Sequence, residues 1–284
     1  AQDIGLFNQF NGRYDYTAIG NTLNISENGS FGLCDILTSS SADLTLDTNQ
    51  NVIAAYLYWA GSGNGDFDIL LNGIEVTAER IFSNALDETR VFFAAFADVT
   101  DIISVQESTT YTVSDFDISS VIAPFCPTGT NFGGWAIIVV YQNDALPLNQ
   151  LNIYDGMQAV PSRIDISLNS LNVIDNFDAK IGFLAWEGDV GIANNESLTI
   201  NGNVLSNPPL NPSNNAFNST NSVTGSNTLY NMDLDIYNIQ NNINVGDTTA
   251  DISLTSNQDY VMINAIVTKL NSQLPDATIV LNNY

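Results

Sequence analysis

The segment Tyr56-Leu57-Tyr58-Trp59-Ala60-Gly61 returns in the second half of the chain as Phe183-Leu184-Ala185-Trp186-Glu187-Gly188. A loop rich in Gly, Asn and Asp follows each copy, and a short strand pattern then ends in Asn-Gly, at Asn72-Gly73 and at Asn201-Gly202. Asn-Gly between two apolar strands is the preferred two-residue hairpin turn, because both central residues need positive φ. The matched order of these features indicates an internal duplication.

A third matched feature sets the length of the repeated unit. Leu146-Pro147 and Leu274-Pro275 follow similar apolar runs at nearly the same offset as the tryptophan segments. That offset predicts units of about 125–130 residues, a length typical of β-sandwiches. We predict unit 1 over residues 1–148 and unit 2 over residues 149–284. Residues 207–227 form a polar insertion in unit 2, either a surface loop or a wrap over unit 1.

The rest of the chain shows the pattern of short strands. Runs of Val, Ile, Thr, Tyr and Phe alternate with clusters of Asn, Gly, Asp, Ser and Pro, and the helical period is nearly absent. The run Trp135–Tyr141 is apolar at every position, which predicts a central strand covered on both faces. We therefore predict an all-β fold of two tandem, related β-sandwich units of jelly-roll-like type.

The charge balance of the 284-residue chain is strongly acidic. It has 31 Asp and Glu residues against six Lys and Arg, a formal net charge of −25, and no histidine. This charge repels phosphate backbones, so the sequence disfavours nucleic-acid partners and direct insertion into anionic membranes. Such acidity indicates either solubility in a salty or calcium-containing medium or a capacity to bind divalent cations.

The two cysteines, Cys34 and Cys126, lie in loop-like surroundings. In an oxidising compartment they would form a disulfide, and the alternative is two unrelated free thiols. We predict the disulfide in unit 1, and with it a secreted, extracellular protein. The first residue, Ala1, is compatible both with a mature exported product and with a trimmed chain.

Several segments together resemble a known family. They are Ala55–Gly61, Phe96–Thr100, Tyr111–Val113, Asn131–Tyr141 and Leu151–Gly156. Their sequence resembles the N-terminal region of large cell-surface adhesins that Bacteroidota export by type IX secretion, including gliding-motility adhesins. The resemblance implies cell-surface display, cell adhesion and often calcium. These motifs determine fold rather than chemistry, so the resemblance transfers no binding residue.

Calcium is the cofactor that the sequence favours. Calcium takes six to eight oxygen ligands from carboxylates, amides and carbonyls, and acidic loops supply these readily. The alternative at each position is an ordinary solvated acidic turn, and no cluster matches the EF-hand pattern. The candidate ligands are Asn64, Asp66 and Asp68, then Asp175, Asn176 and Asp178, and finally Glu187, Asp189 and Asn194.

Catalysis is disfavoured because the chain lacks histidine, a phosphate-binding loop and a nucleophile elbow. We predict a non-catalytic adhesion or display module, whose partner is an extracellular surface, a glycan or another part of a larger parent protein. Three alternatives remain: a carbohydrate-binding, lectin-like module, a filament subunit that pairs through an end strand such as Asp276–Asn282, and a glycosidase that uses a pair of carboxylates. Asp247-Thr248-Thr249 resembles an O-glycosylation acceptor of Bacteroidota, which implies Thr248 as the modified residue; the alternative is an ordinary turn. Core packing is the favoured role for the three tryptophans over sugar stacking.

Overall fold

The computed structural model describes residues 2–29, 34–105 and 109–272. It is 53% strand and 3% helix, and its strands form four antiparallel sheets, which confirms the predicted all-β sandwich class. The strands are β1 (Gln2–Gly12), β2 (Tyr14–Thr22), β3 (Ser40–Asp43), β4 (Asn51–Ser62), β5 (Asp68–Leu71), β6 (Ile74–Thr77), β7 (Arg80–Ala85), β8 (Val91–Asp98), β9 (Thr110–Ser114), β10 (Gly133–Gln142), β11 (Asn149–Ala159), β12 (Ser162–Leu168), β13 (Asp175–Trp186), β14 (Ser197–Ile200), β15 (Asn203–Val204), β16 (Met232–Asn238), β17 (Ala250–Ser256) and β18 (Met262–Asn271). A short helix, α1 (Thr100–Val105), and a 3₁₀ turn at Cys126–Thr128 complete the described elements.

Apart from β1, each half of the chain supplies the strands of one large and one small sheet. The first large sheet has the order β2-β10-β4-β8-β7, and the first small sheet β3-β9-β5-β6. The second large sheet has the order β1-β11-β18-β13-β16, and the second small sheet β12-β17-β14-β15. We call each large and small pair the first and the second sandwich.

The two sandwiches share one connectivity. If the eight strands common to both are counted in chain order, each large sheet reads 1-8-3-6 and each small sheet reads 2-7-4-5. This is the jelly-roll arrangement of two four-stranded sheets. Strands β4 and β13, which end near Trp59 and at Trp186, occupy equivalent positions. Descent of the halves from one duplicated unit stays a prediction.

The first strand crosses the predicted division of the chain. Residues 2–12 were expected in unit 1, but β1 pairs with β11 and lies at the edge of the second large sheet. The pairing is antiparallel, with Leu6 opposite Tyr154 and Gly12 opposite Asn149. The N-terminal strand therefore links the second sandwich back to the first.

The large sheets are buried on both faces, as Trp135–Tyr141 illustrates. In β10, Trp135, Ile137 and Val139 pack into the first sandwich. The alternate residues, Ala136 and Ile138, pack into a second core that lies between the two large sheets. That shared core also receives Tyr58 from β4 and Trp186 from β13. The predicted double burial of this strand is confirmed, and the protein is layered small-large-large-small.

A disulfide crosslinks two connecting segments of the first sandwich. Cys34 and Cys126 are bonded, with their Cα atoms 5.4 Å apart, which confirms the predicted pairing. The bond joins the loop after β2 to the 3₁₀ turn before β10.

Among residues 2–29, 34–105 and 109–272, no helix has the length and apolar character needed to cross a membrane.

Candidate functional site

Three loops meet where the two sandwiches adjoin, and they bring five acidic residues together. Because β13 and β18 are neighbours in the second large sheet, the loop after Trp186 lies beside the loop that leads into β18. The loop after β2 approaches them from the first sandwich. We call the resulting cluster the acidic junction, which comprises Glu27, Glu187, Asp189, Glu196 and Asp259.

Four of the five acids of the acidic junction are buried, and Glu27 is half-buried. Glu187, Glu196 and Asp259 are at most 2% exposed, and Asp189 is 8% exposed. Such burial is unusual for carboxylates, which normally stay at the surface unless they have a partner. The local structure is also constrained, since Glu187 adopts a positive φ of 68° directly after the buried Trp186.

Hydrogen bonds across the junction tie the first sandwich to the second. The side-chain amide of Asn28 donates to both carboxylate oxygens of Glu187, at 3.0 and 3.1 Å. The backbone amide of Asn28 donates to Asn231 Oδ1 at 2.9 Å, and Asn231 Nδ2 donates to Asp189 Oδ1 at 2.9 Å. Asn28 and Asn231 therefore supply donors that carboxylates alone cannot provide.

The carboxyl groups themselves form a chain of contacts. Asp189 lies within hydrogen-bonding range of the carboxyls of both Glu27 and Asp259. Asp259 in turn lies within the same range of Glu196. Burial, followed by the neighbouring carboxylates, raises the pKa of Asp189 to about 9 and that of Asp259 to about 8. Burial also raises the pKa of Glu196 to about 8.

Among the described residues, no Lys or Arg forms an ion pair with a carboxylate of the acidic junction. Each ion pair formed by the described residues involves Asp15, Asp87, Asp155, Asp165 or Asp178. Buried carboxylates without a counter-charge are strongly destabilising, so they take up protons or bind cations. In the arrangement observed, no three Asp, Glu, His or Cys side chains of residues 2–29, 34–105 and 109–272 are placed to hold a metal ion.

A separate acidic pair on β16 holds the polar insertion in place. Asp233 Oδ1 accepts hydrogen bonds from the backbone amides of Asn218 and Thr220, each at 2.9 Å. Asp235 accepts from the backbone amide of Ser222 and from the side chains of Asn211 and Thr220. The insertion packs on the edge of the second large sheet and also reaches the first sandwich, where Ser219 Oγ donates to Glu27.

The predicted cation ligands of the first sandwich have local structural partners. Asp66 Oδ2 accepts a hydrogen bond from the backbone amide of Asp117 at 2.6 Å, and its carbonyl accepts one from Trp59 Nε1. Asp68 Oδ1 accepts from Thr77 Oγ1 across the hairpin at 2.6 Å. Asn64 is exposed in the same loop. A cation at these residues stays a prediction.

The predicted ligands in β13 lie beside a lysine. Asp178 Oδ2 and Lys269 Nζ are 2.8 Å apart, and Lys269 is only 1% exposed. Asp175 accepts hydrogen bonds from the backbone amide of Phe177 and from Asn271. The lysine supplies a positive charge that a metal ion would otherwise bring. Calcium at this position also stays a prediction.

Other residues singled out in the sequence lie in separate places. Thr248 is exposed in the loop before β17, so its hydroxyl is accessible. Trp59, Trp135 and Trp186 are completely buried, which confirms core packing as their role. The strand proposed for filament pairing, at residues 276–282, lies outside the described residues.

Sequence patterns did not identify three acids of the junction, because each is a single acid far from the others along the chain. These acids are Glu27, Glu196 and Asp259. The clusters recognised from sequence were local, and only Glu187 and Asp189 of those belong to the junction. The signal that could have located the rest is topological. Loops that follow β2, β13 and β17 meet once the jelly-roll order is known.

Comparison with known proteins does not assign this chain to a family. No family model matches the chain, and no curated protein matches it. Among solved structures it is similar to wild-type BuGH86 in complex with neoagarooctaose, at 10% identity and a TM-score of 0.29 over 94% of this chain. It is similar at the same identity and TM-score to BpGH86A, a β-porphyranase of glycoside hydrolase family 86 from Bacteroides plebeius, over 95% of this chain.

The chain spans about a third of those two proteins, 33% and 36% of their length. It also resembles the major capsid protein P2 of bacteriophage PM2, at 10% identity and a TM-score of 0.26, over 90% of this chain and 96% of that one. Similarity at this level assigns neither a family nor a function. The observed connectivity alone defines the class, a double jelly-roll β-sandwich module.

Proposed function

We propose that this chain is a non-catalytic, extracellular module of a bacterial surface adhesin that is exported by the type IX route and serves adhesion or surface display. The observation that carries the proposal is the joint between the two sandwiches. A module that holds a cell to a surface is under tension, and it needs a joint that stays closed. The shared core and its polar contacts supply such a joint.

The joint combines apolar packing with an ion pair in which the carboxylate of Asp155 is buried and Arg80 is partly exposed. Arg80 of β7 forms a bidentate salt bridge with Asp155 of β11, with N–O distances of 2.6 and 2.7 Å. Tyr58 OH donates to the same carboxylate at 3.0 Å. The Arg80 guanidinium also lies 4.5 Å from the ring centroid of Phe7. Bidentate pairs of this kind fix orientation as well as adding energy.

The compartment and the surface are compatible with this role. The disulfide suits an oxidising, extracellular environment, and the net charge of −25 favours solubility there. The exposed Thr248 is accessible to glycosylation. Other parts of a larger parent protein, or an extracellular surface, are the partners that we propose.

The absence of catalysis is part of the proposal. The sequence contains no histidine, and Glu196 and Asp259 are buried, so a substrate has no access to this pair of acids. Glycoside hydrolysis needs two carboxyl groups on either side of a bound sugar. Incubation with a panel of polysaccharides should therefore release no reducing sugar.

One groove favours glycan binding as a second function. It has a volume of about 380 Å³ and runs between the first sandwich and the polar insertion. Amide and hydroxyl side chains line it, among them Asn21, Ser41, Asn221, Thr224 and Ser226. Such groups can exchange hydrogen bonds with sugar hydroxyls. Thr224 is exposed in this groove, so glycan-array binding that Thr224→Ala weakens would support this function over the first.

Attachment of coated beads tests the leading proposal. Beads that carry the purified chain should attach to extracellular matrix or cell surfaces under flow, and soluble chain should compete. Beads coated with an unrelated acidic protein of similar charge are the control. Attachment no greater than that of the control beads on every surface would contradict the adhesive role.

A further inference from the structure

The outer edge of β2 lines a groove. β2 is the terminal strand of the first large sheet, where its partner is β10. The groove of about 380 Å³ between the first sandwich and the polar insertion is lined by five consecutive residues of β2, at 17–21. One wall of this β2 groove is formed by β3, and the other by the polar insertion and the nearby Leu229. A walled groove along a strand edge is a form of site that accepts one more strand.

Every second residue of β2 directs its backbone amide and carbonyl away from β10. The amide of Leu23 donates to the carbonyl of Gly133 at 2.7 Å, so the odd-numbered residues bond on the β10 side and the even-numbered residues face the groove. At the ends of this edge, the amides of Tyr16 and Thr22 donate to the side chains of the residues before them, at 2.7 and 2.9 Å. Lys180 Nζ donates to the carbonyl of Tyr16. Side chains therefore close both ends of the edge.

Ala18 and Gly20 lie between these closed ends, and both are buried. Among residues 2–29, 34–105 and 109–272, no group donates to or accepts from their backbone on the groove side. Buried backbone amides and carbonyls are nearly always paired. A strand laid antiparallel along β2 would satisfy two amides and two carbonyls at these two residues.

The walls of the β2 groove indicate which strand fits. The large apolar side chains of the walls, Val223 and Leu229, both lie on the side of the polar insertion. The opposite wall is polar at Ser41, Asp43 and Thr45. Successive side chains of a strand point to opposite faces, so the added strand should alternate apolar and polar residues.

Residues 276–282, which lie outside the described residues, have this alternation. Ala277, Ile279 and Leu281 are apolar, and the residues between and beside them are polar except Val280. We propose that residues 276–282 of a second copy of this chain add to β2 as an antiparallel strand in the β2 groove. The apolar residues would then face the polar insertion, and the polar residues would face β3.

The path of the chain favours a second copy over the same copy. β18 ends at Asn271, whose partner Asn149 donates through Nδ2 to the carbonyl of Tyr14 at 2.6 Å. The chain therefore leaves the second sandwich beside the first residue of β2. The three residues before the segment let it begin at most about 14 Å from there. An antiparallel strand must begin beside Gly20 or beyond, about 20 Å along β2.

Addition within one copy would therefore be parallel to β2. The described pairs of the first large sheet are all antiparallel, and parallel pairing is slightly less stable per residue. In the arrangement that we propose, the groove of one copy receives the strand of the next. Such head-to-tail contacts repeat into open chains unless they close into a ring. This assembly goes beyond the adhesive role and does not depend on it.

Sedimentation velocity of the full chain between about 1 µM and 1 mM is the first test. We expect species heavier than the monomer, with a mean mass that grows with concentration. Amide exchange at Ala18 and Gly20 should slow over the same range, because the added strand pairs with them. A monomer at every concentration would overturn the proposal. If exchange at these amides were already slow in that monomer, the strand would belong to the same copy.

Two substitutions test the strand and the groove separately. Ile279→Asp places a charge on the apolar face of the segment, and Val223→Asp places one on the exposed wall that would receive it. Each should weaken association at least about tenfold, because a buried carboxylate without a partner is costly. Asn283→Asp and Val245→Asp add the same charge outside the segment and at another exposed valine. These controls should associate as the wild type does, and equal effects in variants and controls would contradict the assignment.

A mixture of the two defective variants provides the sharpest result. Ile279→Asp keeps an intact groove and Val223→Asp keeps an intact strand, so together they should form a 1:1 complex that does not grow further. Failure to form this complex, when the wild type associates, would overturn the head-to-tail contact. Glycan binding in the groove by a chain that stays monomeric would assign the groove to a sugar instead. None of these readouts depends on whether coated beads adhere.

Discussion

The backbone amide of Val190 donates a hydrogen bond to Oε1 of Glu27 at 2.8 Å. Val190 follows β13 of the second sandwich, whereas Glu27 follows β2 of the first, so this bond crosses between them. It places a carboxylate of one jelly roll among the buried acids of the other. The junction is therefore a property of the assembled pair and would not exist in either half alone.

The pair formed by Arg80 and Asp155 should be important for stability. Asp155 is 2% exposed in its side chain, so Arg80→Met would leave a buried carboxylate with only Tyr58 as a donor. We expect the free energy of unfolding to fall by about 2–4 kcal/mol, because unpaired buried charges are strongly destabilising. Urea unfolding followed by tryptophan fluorescence measures this change.

Arg163→Met is the matched control, since Arg163 and Asp165 are both more than half exposed. Solvent-exposed ion pairs contribute little to stability, so this variant should unfold close to the wild type. If Arg80→Met and Arg163→Met lower the free energy of unfolding equally, the pair between the sandwiches stabilises the protein no more than an exposed ion pair does.

The disulfide should stabilise the first sandwich because it restricts the conformations that the unfolded chain can adopt. It closes a loop over 92 residues of sequence separation, which corresponds to about 4–5 kcal/mol in the chain-entropy model. The double variant Cys34→Ser/Cys126→Ser should lose most of that free energy of unfolding in urea. Addition of a reductant should destabilise the wild type and leave the double variant unchanged. If the double variant and the wild type unfold at the same urea concentration without reductant, the disulfide contributes little to stability.

The loop after β13 provides a matched pair of glycine substitutions. A Cβ on Gly188 would collide with the carboxylate of Asp233 and the backbone of Phe217, whereas one on Gly191 would meet nothing within 4 Å. Gly188→Ala should cost about 1–3 kcal/mol of stability through overpacking, and Gly191→Ala should be nearly neutral. Thermal unfolding distinguishes them, and a similar melting temperature for both would contradict the close packing of this loop.

The carboxyl of Asp235 should make the attachment of the polar insertion depend on pH. Burial raises the pKa of Asp235 to about 7, compared with about 4 in an unfolded chain. Between those values the folded state holds more protons than the unfolded state. Its contribution to the free energy of unfolding therefore falls as pH rises, by at most about 1.4 kcal/mol per pH unit.

Comparison of the wild type with Asp235→Asn isolates this contribution from other titrating groups. The difference in unfolding free energy should change between about pH 4 and pH 7 and become flat above. Proteolysis within residues 207–227 should also accelerate at high pH in the wild type alone. A difference that stays constant over this range would show that Asp235 has an ordinary pKa.

The strand pattern and the repeats were sufficient to predict the class and the shared architecture. Trp59 and Trp186 indicated equivalent strands because a buried tryptophan before a tight Asn-Gly hairpin is a local feature of the sequence. The position of β1 could not be predicted in this way. β1 pairs with β11, which lies more than a hundred residues away along the chain, and the sequence of β1 does not indicate which sheet edge it joins.

The acidic junction shows the same limit. Glu187 and Asp189 were recognisable as a local acidic loop after a tryptophan, but Glu27 and Asp259 joined them only through the folding of distant loops. Burial decides their chemistry, and burial at loop ends depends on how the two large sheets face each other. A sequence without aligned relatives gives no measure of that arrangement.

The most direct test of the central claim is the attachment of coated beads to extracellular surfaces under flow. Beads that carry the wild-type chain should stay attached at a shear at which beads with an unrelated acidic protein detach, because the shared core and the Arg80–Asp155 pair hold the two sandwiches together. Attachment no stronger than that of the control beads on every surface would contradict it.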